Sequence, residues 1–118
     1  FHLHFYIDYK DENEAGLARP TALKIDGKYY MWYSRRNLIG YKTDKNASYR
    51  IGFAKSLDGK NWTRMDEKAG IDISPEGWDS DMICYPYVIE WKDKLFLFYN
   101  GNGFGRTGIG YAVCENQC

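Results

Sequence analysis

The sequence predicts an all-β protein made of antiparallel four-stranded meanders that form part of a β-propeller, about two blades of it. The first observation is a repeat, because segment 18–34 (ARPTALKIDGKYYMWYS) returns at 85–100 as YPYVIEWKDKLFLFYN. The second is that each copy is followed by a shared piece, IGFA at 51–54 and IGYA at 109–112. The third is an aromatic content of 18%, which favours strands over helices. Repeated hairpin units that cannot bury their faces alone are typical of propeller blades.

The length of the chain limits the number of domains, and its charge limits the classes of partner that it could bind. With 118 residues there is room for one domain, which we divide into an N-terminal strand and connection (1–17), a first blade (18–66) and a second blade (67–118). The 16 basic and 16 acidic residues create no overall field for nucleic acid or an anionic membrane. No apolar run approaches the roughly 18 residues that span a bilayer. We therefore expect neither partner.

The strands follow one another along the chain. Strict alternation of apolar and polar residues from Phe1 to Tyr9 predicts a half-buried strand. Turn signals then separate the remaining predicted strands, which are 20–26, 28–35, 49–56, 61–65, 85–91, 94–100 and 108–114. No segment has the periodicity of a helix.

Histidines and cysteines leave alternatives open. His2 and His4 share the polar face of the first strand, and neutral imidazole is a common metal ligand. Two solvent-facing histidines need no ligand to explain them, so we predict no metal site, and no motif for a cofactor is present. Cys114 and Cys118 would pair in an exported protein or stay free in a reducing compartment. The localisation is therefore left open.

The meander sorts the connections onto two faces of the predicted disc. Successive turns of an antiparallel blade alternate between these faces, so the tight turns 26–27, 58–59 and 92–93 fall on one face. The connections into the innermost strands fall on the other, together with the long loops 36–48 and 101–107. Long loops on a rigid scaffold are where binding usually resides.

Four segments resemble the five-bladed β-propeller glycosidase superfamily, which includes arabinanases, fructosidases and mannoside phosphorylases. They are RPTALKIDGKYYMWYS, YRIGFAKSLDGKNW, GWDSDMICYPYVI and FYNGNGFGRTGIGYA. The resemblance extends over 18–113 and amounts to about two blades of five. It implies a carbohydrate ligand and carboxylates near a central channel that act as acid, base or tuning group.

The resemblance also shows where this sequence departs from the family. Many relatives carry Asp or Glu one or two positions before the proline that opens an innermost strand. Here Ala18-Arg19 precedes Pro20, and Cys84-Tyr85 precedes Pro86. The best remaining carboxylates are Asp79 and Asp81, just before the second of these strands. They are the predicted catalytic residues, with partners supplied by blades that this sequence does not contain.

Polar and aromatic side chains on the same face complete the predicted site. The predicted substrate-binding residues are Arg19, Trp78, Tyr85, Asn100, Asn102 and Arg106. Each has a structural alternative: Asp79 and Asp81 fit an Asx-turn, Trp78 fits packing between blades, and Arg19 fits an ion pair with Asp79. The glycines of NGNGFG at 100–105 also have backbone reasons to be there.

These observations lead to one predicted function and its alternatives. We expect a glycosidase-related domain that recognises or hydrolyses a carbohydrate at the face carrying the 78–85 connection. The alternatives are a non-catalytic carbohydrate-binding domain and a self-assembling half-propeller. Because the second blade has only three strands, we expect residues 1–9 of one subunit to pair with the 108–114 edge of another, giving a homo-oligomer.

Overall fold

Seven strands and two single helical turns make up the part of the chain that the computed structural model describes, residue 1 and residues 7–114. The strands are β1 Glu14–Ile25, β2 Lys28–Asn37, β3 Arg50–Ser56, β4 Trp62–Arg64, β5 Cys84–Trp91, β6 Lys94–Asn100 and β7 Ile109–Cys114. The turns are a 3-10 helix, Asp66–Lys68, and Asn102–Gly105. The antiparallel sheets have the orders β1-β2-β3-β4 and β5-β6-β7. The predicted all-β fold, with one complete blade and one of three strands, is confirmed.

The N-terminal region differs from the prediction. Strand β1 begins at Glu14, inside the segment predicted to be a connection, because the buried Glu14 carboxylate binds the Arg64 guanidinium of β4 at 2.9 Å. Most of the predicted strand at residues 1–9 lies outside the described residues, as do His2 and His4, and residues 7–9 are not in a strand. Cys114 is disulfide-bonded, and its predicted partner Cys118 also lies outside the described residues.

The two hairpins that open the blades share one turn geometry. Asp26 and Gly27 have φ values of 51° and 80°, and Lys92 and Asp93 have 51° and 63°. Positive φ at both central residues is the type I′ turn, whose twist matches that of the flanking strands. Because both hairpins use two-residue turns, the pairing register is set alike in the two blades.

A β-bulge recurs at the start of the innermost strand of each blade. The register with the neighbouring strand shifts within 18–21 in β1 and within 84–87 in β5. Each bulge holds the residue before the proline in the left-handed region, with φ of 53° at Arg19 and 58° at Tyr85. A non-glycine residue held there costs about 1–3 kcal/mol and persists only when its surroundings impose it. The repeat thus conserves a strained geometry at two matched positions.

The core lies between the two blades. It contains side chains from the first blade, the connecting segment and the second blade, namely Trp32, Ile51, Phe53, Ala69, Ile83, Val88, Leu97 and Tyr99. Hydrogen bonds also cross the interface, from the Tyr85 amide to Ser34 Oγ at 2.7 Å and from the Val88 amide to Thr21 Oγ1 at 3.2 Å. The innermost strands are therefore fixed relative to each other. Within the described residues, no helix is long and apolar enough to cross a membrane.

Candidate functional site

A cavity of about 370 Å³ lies where the two innermost strands begin. We call it the inner cavity; its lining is Arg19, Pro20, Tyr85, Pro86, Tyr87 and Asn100. The repeated bulges build it, because they place Arg19 of β1 and Tyr85 of β5 in the same wall. Three of the predicted binding residues, Arg19, Tyr85 and Asn100, are brought together here.

Arg19 and Tyr85 contact each other in the wall of the inner cavity. The guanidinium carbon of Arg19 lies 5.4 Å from the centre of the Tyr85 ring, within the range of a cation–π interaction. Burial, followed by the neighbouring Cys84 and Tyr49, raises the pKa of Tyr85, so its hydroxyl is protonated at neutral pH. No ion pair between Arg19 and Asp79 is formed among the described residues, so the Arg19 guanidinium has no carboxylate partner there.

A second cavity, of about 320 Å³, lies between three loops on the same face. We call it the loop cavity; its lining is Tyr41, Lys42, Thr43, Asp44, Lys45, Ser48, Asp81, Met82, Asn102, Gly103, Phe104 and Arg106. Three more of the predicted site residues, Asp81, Asn102 and Arg106, therefore belong to a different cavity from Arg19. The sequence predicted one site, whereas the described residues place these side chains in two separate cavities.

The Asn102 side chain links two of the segments that line the loop cavity. Its Oδ1 accepts hydrogen bonds from the amides of Asp81 and Met82 at 2.7 and 3.0 Å, and its Nδ2 donates to the Gly77 carbonyl at 3.1 Å. The side chain thus ties the glycine-rich loop to the segment before β5. Asn102 positions Asp81 in the cavity wall through the backbone of that segment.

Asp79 and Trp78 line neither cavity. Asp79 is only 5% exposed, and its carboxylate accepts a hydrogen bond from the Tyr99 hydroxyl at 2.8 Å. Burial and this carboxylate raise the pKa of Tyr99 to about 12. Trp78 stacks on the same Tyr99 ring with the centroids 5.3 Å apart. The structure therefore favours the packing alternative for Trp78, while a catalytic role for Asp79 stays a prediction.

The first blade contains the same tyrosine–aspartate pair. Tyr33 matches Tyr99 in the repeat, and its hydroxyl donates to Asp66 Oδ1 at 2.5 Å. Asp66 lies 33 residues after Tyr33, whereas Asp79 lies 20 residues before Tyr99, so the repeat in the sequence did not reveal the pairing. This recurrence indicates that Asp79, like Asp66, supports the packing of its blade.

One aromatic ring separates the two cavities. Tyr49 is buried, with its ring centroid 6.0 Å from that of Tyr85 in the inner cavity and 5.7 Å from that of Phe104 in the loop cavity. Tyr41 packs edge-on against Tyr49 at 6.2 Å. The cavities are therefore neighbours on one face of the molecule.

Sequence reasoning missed several lining residues. Tyr87, with 61% of its surface exposed, follows Pro86 in the outward alternation of β5 and could have been found from that pattern. Nothing in the sequence singles out Ser48 or Phe104, since their places depend on loop conformations. Among the described residues, no group of three or more His, Cys, Asp or Glu side chains is arranged to hold a metal ion.

Comparison with known proteins places this fold in context. No known protein-family profile matches the chain. Two uncharacterized proteins of Mycobacterium tuberculosis, from strains CDC 1551 and H37Rv, are each 40% identical over 111 residues, which cover 94% of this chain and 34% of theirs. The chain thus spans about a third of the curated relatives it matches.

Solved glycoside hydrolases share the fold. A family 117 glycoside hydrolase of Zobellia galactanivorans superposes with a TM-score of 0.68 at 19% identity, over 96% of this chain and 39% of that one. An exo-1,5-α-L-arabinanase from a bovine ruminal metagenomic library gives 0.58 at 19% identity, over 95% and 35%. A β-xylosidase/α-arabinofuranosidase from a compost metagenome gives 0.63 at 20%, over 85% and 32%. The predicted resemblance to propeller glycosidases is confirmed at the level of the fold, as part of such a propeller.

Proposed function

We propose that this domain recognises a carbohydrate, and that the inner cavity holds one sugar unit. The observation that carries the proposal is the pair of matched bulges, which turn Arg19 and Tyr85 toward one cavity at the cost of a strained backbone. Strain of this kind clusters at binding and active sites. The glycosidase-related fold supports the same class of ligand.

The chemistry of the inner cavity suits a sugar. Tyr87 offers an exposed ring face for the C–H surface of a pyranose or furanose, while its hydroxyl remains in water. The Arg19 guanidinium provides several donors, and the Asn100 amide provides both a donor and an acceptor for hydroxyl groups. Pockets of this type combine apolar walls with a few polar groups that fix orientation.

Recognition is favoured over hydrolysis for these residues. Glycoside hydrolysis normally uses two carboxyl groups that flank the scissile bond, about 5–10 Å apart. No carboxylate among the described residues lines the inner cavity, since Asp79 is bonded to Tyr99 and Asp81 lies in the loop cavity. Hydrolysis would therefore need carboxylates from outside the described residues. This second function stays open because the fold is that of glycoside hydrolases.

Titration of the protein with arabinobiose and xylobiose, followed by backbone amide NMR, tests the proposal. These probes are chosen because solved neighbours include an arabinanase and a xylosidase. We expect shifts of the amides of residues 19, 85, 87 and 100, and about tenfold weaker binding in Tyr87→Ala, as is typical of an aromatic contact worth about 1–3 kcal/mol.

Tyr111→Ala is the matched control. Tyr111 is 60% exposed and lies in the same cross-strand row as Tyr87, since both pair with Phe98, but it lines neither cavity. Its replacement should leave the affinity unchanged. Equal loss in both variants, or shifts confined to the 58–59 and 92–93 turns, would contradict sugar recognition in the inner cavity.

A further inference from the structure

We propose that the loop cavity is a second binding site, which takes an anionic sugar unit of the same oligosaccharide that occupies the inner cavity. The inference rests on the proposed carbohydrate recognition and specifies the class of glycan, one with an acidic unit next to the unit in the inner cavity. Three independent features of the cavity carry it: its charge, an unpartnered buried hydroxyl, and its position next to the inner cavity.

The charge of the lining favours an anion. Lys42, Lys45 and Arg106 outnumber Asp44 and Asp81, and none of the ion pairs among the described residues involves these three cations. The Asp44 carboxylate is already an acceptor for the Asn46 amide at 2.9 Å. The cations therefore keep their hydrogen-bonding capacity for a carboxylate, sulfate or phosphate on the ligand.

Ser48 presents a polar group without a partner. It is 7% exposed, lines the loop cavity, and its Oγ makes no hydrogen bond within residues 7–114. A buried hydroxyl that lacks a partner destabilises the fold, so its presence calls for a compensating role. A hydroxyl or anionic oxygen of a ligand in the cavity would satisfy it once the Ser48 side chain rotates toward the ligand.

The glycine-rich loop shapes the opposite wall. Phe104 adopts a left-handed conformation with φ of 62°, which is rare for an aromatic residue and places its ring edge-on to Tyr49 at 5.7 Å. A Cβ on Gly103 would lie 2.8 Å from Arg106 Nε, so glycine leaves room for the arginine to lie across the loop. The wall therefore combines an apolar ring with a guanidinium, two groups that suit a charged sugar.

The position next to the inner cavity makes one ligand for both sites feasible. Tyr85 of the inner cavity and Phe104 of the loop cavity both contact the single ring of Tyr49. Two adjacent units of one glycan can thus occupy both cavities, which raises the effective concentration of the second unit.

Backbone amide NMR of the protein with four separate probes tests the inference. The probes are sodium glucuronate, glucose 6-phosphate, glucose and inorganic phosphate. We expect one or both anionic sugars to shift amides at 41–49 and 101–107, and whichever binds identifies the anionic group. Glucose and inorganic phosphate should shift them at least tenfold less at equal concentration.

Three variants define the outcome. Arg106→Gln should weaken anionic-sugar binding about tenfold, whereas Lys60→Gln, on the opposite face, should not change it. Ser48→Ala should weaken it while raising Tm, because the hydroxyl it removes is unsatisfied in the free protein. If Ser48 had only a structural role, its replacement would not weaken binding and raise Tm together.

Results that contradict the second site can be distinguished from results that contradict the proposed function. Silent loop amides, or equal shifts with inorganic phosphate or glucose, would overturn the second site while leaving recognition in the inner cavity intact if Tyr87→Ala still weakens arabinobiose or xylobiose. If no probe binds and Tyr87→Ala has no effect on any sugar, the proposed function itself fails. Anionic-sugar binding that persists unchanged in Arg106→Gln would also overturn the inference.

Discussion

Replacing Ser34 by alanine tests how the interface between the blades positions the inner cavity. Ser34 is fully buried, at 0% exposure, and its Oγ accepts the Tyr85 amide hydrogen bond at 2.7 Å. That bond crosses from the first blade to the bulge of the second, where Tyr85 has φ of 58°. The substitution removes one oxygen atom and leaves the chain otherwise unaltered.

The expected magnitude follows from the group left behind. A buried amide that loses its acceptor costs about 1–3 kcal/mol, and one strained residue holds a similar amount, about 1–3 kcal/mol. Relaxation of the bulge can therefore offset part of the loss, but only by moving Tyr85. We expect unfolding to be easier by about 1–3 kcal/mol, which is roughly 4–12 °C in Tm at about 4 °C per kcal/mol.

Two measurements on the same samples decide the outcome. Urea unfolding followed by tryptophan fluorescence reports stability, and calorimetry with arabinobiose or xylobiose reports sugar binding, which should weaken about tenfold as Tyr85 moves. Ser56→Ala is the matched control, because Ser56 Oγ is also a buried acceptor, for the Gly59 amide at 2.8 Å, but lies at the opposite face. It should lower stability without changing affinity. Unaltered stability in Ser34→Ala, or equal affinity in the two variants, would refute the reasoning.

Three further predictions concern titration and assembly. Burial opposes ionisation of Asp66, but hydrogen bonds from Tyr33 and Arg64 outweigh it and lower its pKa below 3.8. The stability that Asp66 contributes is therefore present above pH 3.8 and is lost as the pH falls further. The urea midpoint should consequently fall less steeply with acid in Asp66→Asn than in the unsubstituted protein. The pKa of Tyr99 is raised from 10.0 to about 12, so its contribution is complete below pH 10 and is lost between these values. Burial also raises the pKa of Tyr33 and of Tyr85, so ultraviolet titration of Tyr99→Phe should show one late-ionising tyrosine fewer than the unsubstituted protein. Light scattering at tens of micromolar should give a homo-oligomer, which Tyr111→Lys on the exposed face of β7 should dissociate. A monomeric unsubstituted protein, or an oligomer that persists in Tyr111→Lys, would contradict the predicted assembly.

The fold could be predicted from the sequence because the patterns that indicate its hairpins are local and occur twice. Alternating apolar residues and two-residue turns define hairpins over short distances, and the repeat of 18–34 at 85–100 confirmed the pattern independently. The start of β1 was wrong for a non-local reason, since Glu14 is held in the strand by Arg64, far away in the chain. The three-stranded second blade was also predicted, because it follows from counting strands.

The site was accessible only in part. The sequence by itself determined which loops share a face, and with them the residues Arg19, Tyr85 and Arg106, because a meander alternates its turns. Only the tertiary structure decided that these residues belong to two cavities and that Asp79 is withdrawn from both. Its carboxylate is bonded to Tyr99, a contact between two segments whose separation along the chain gives no periodic signal. Which side chains contact each other depends on how the blades pack together, and the pattern of residues along the sequence does not specify that packing.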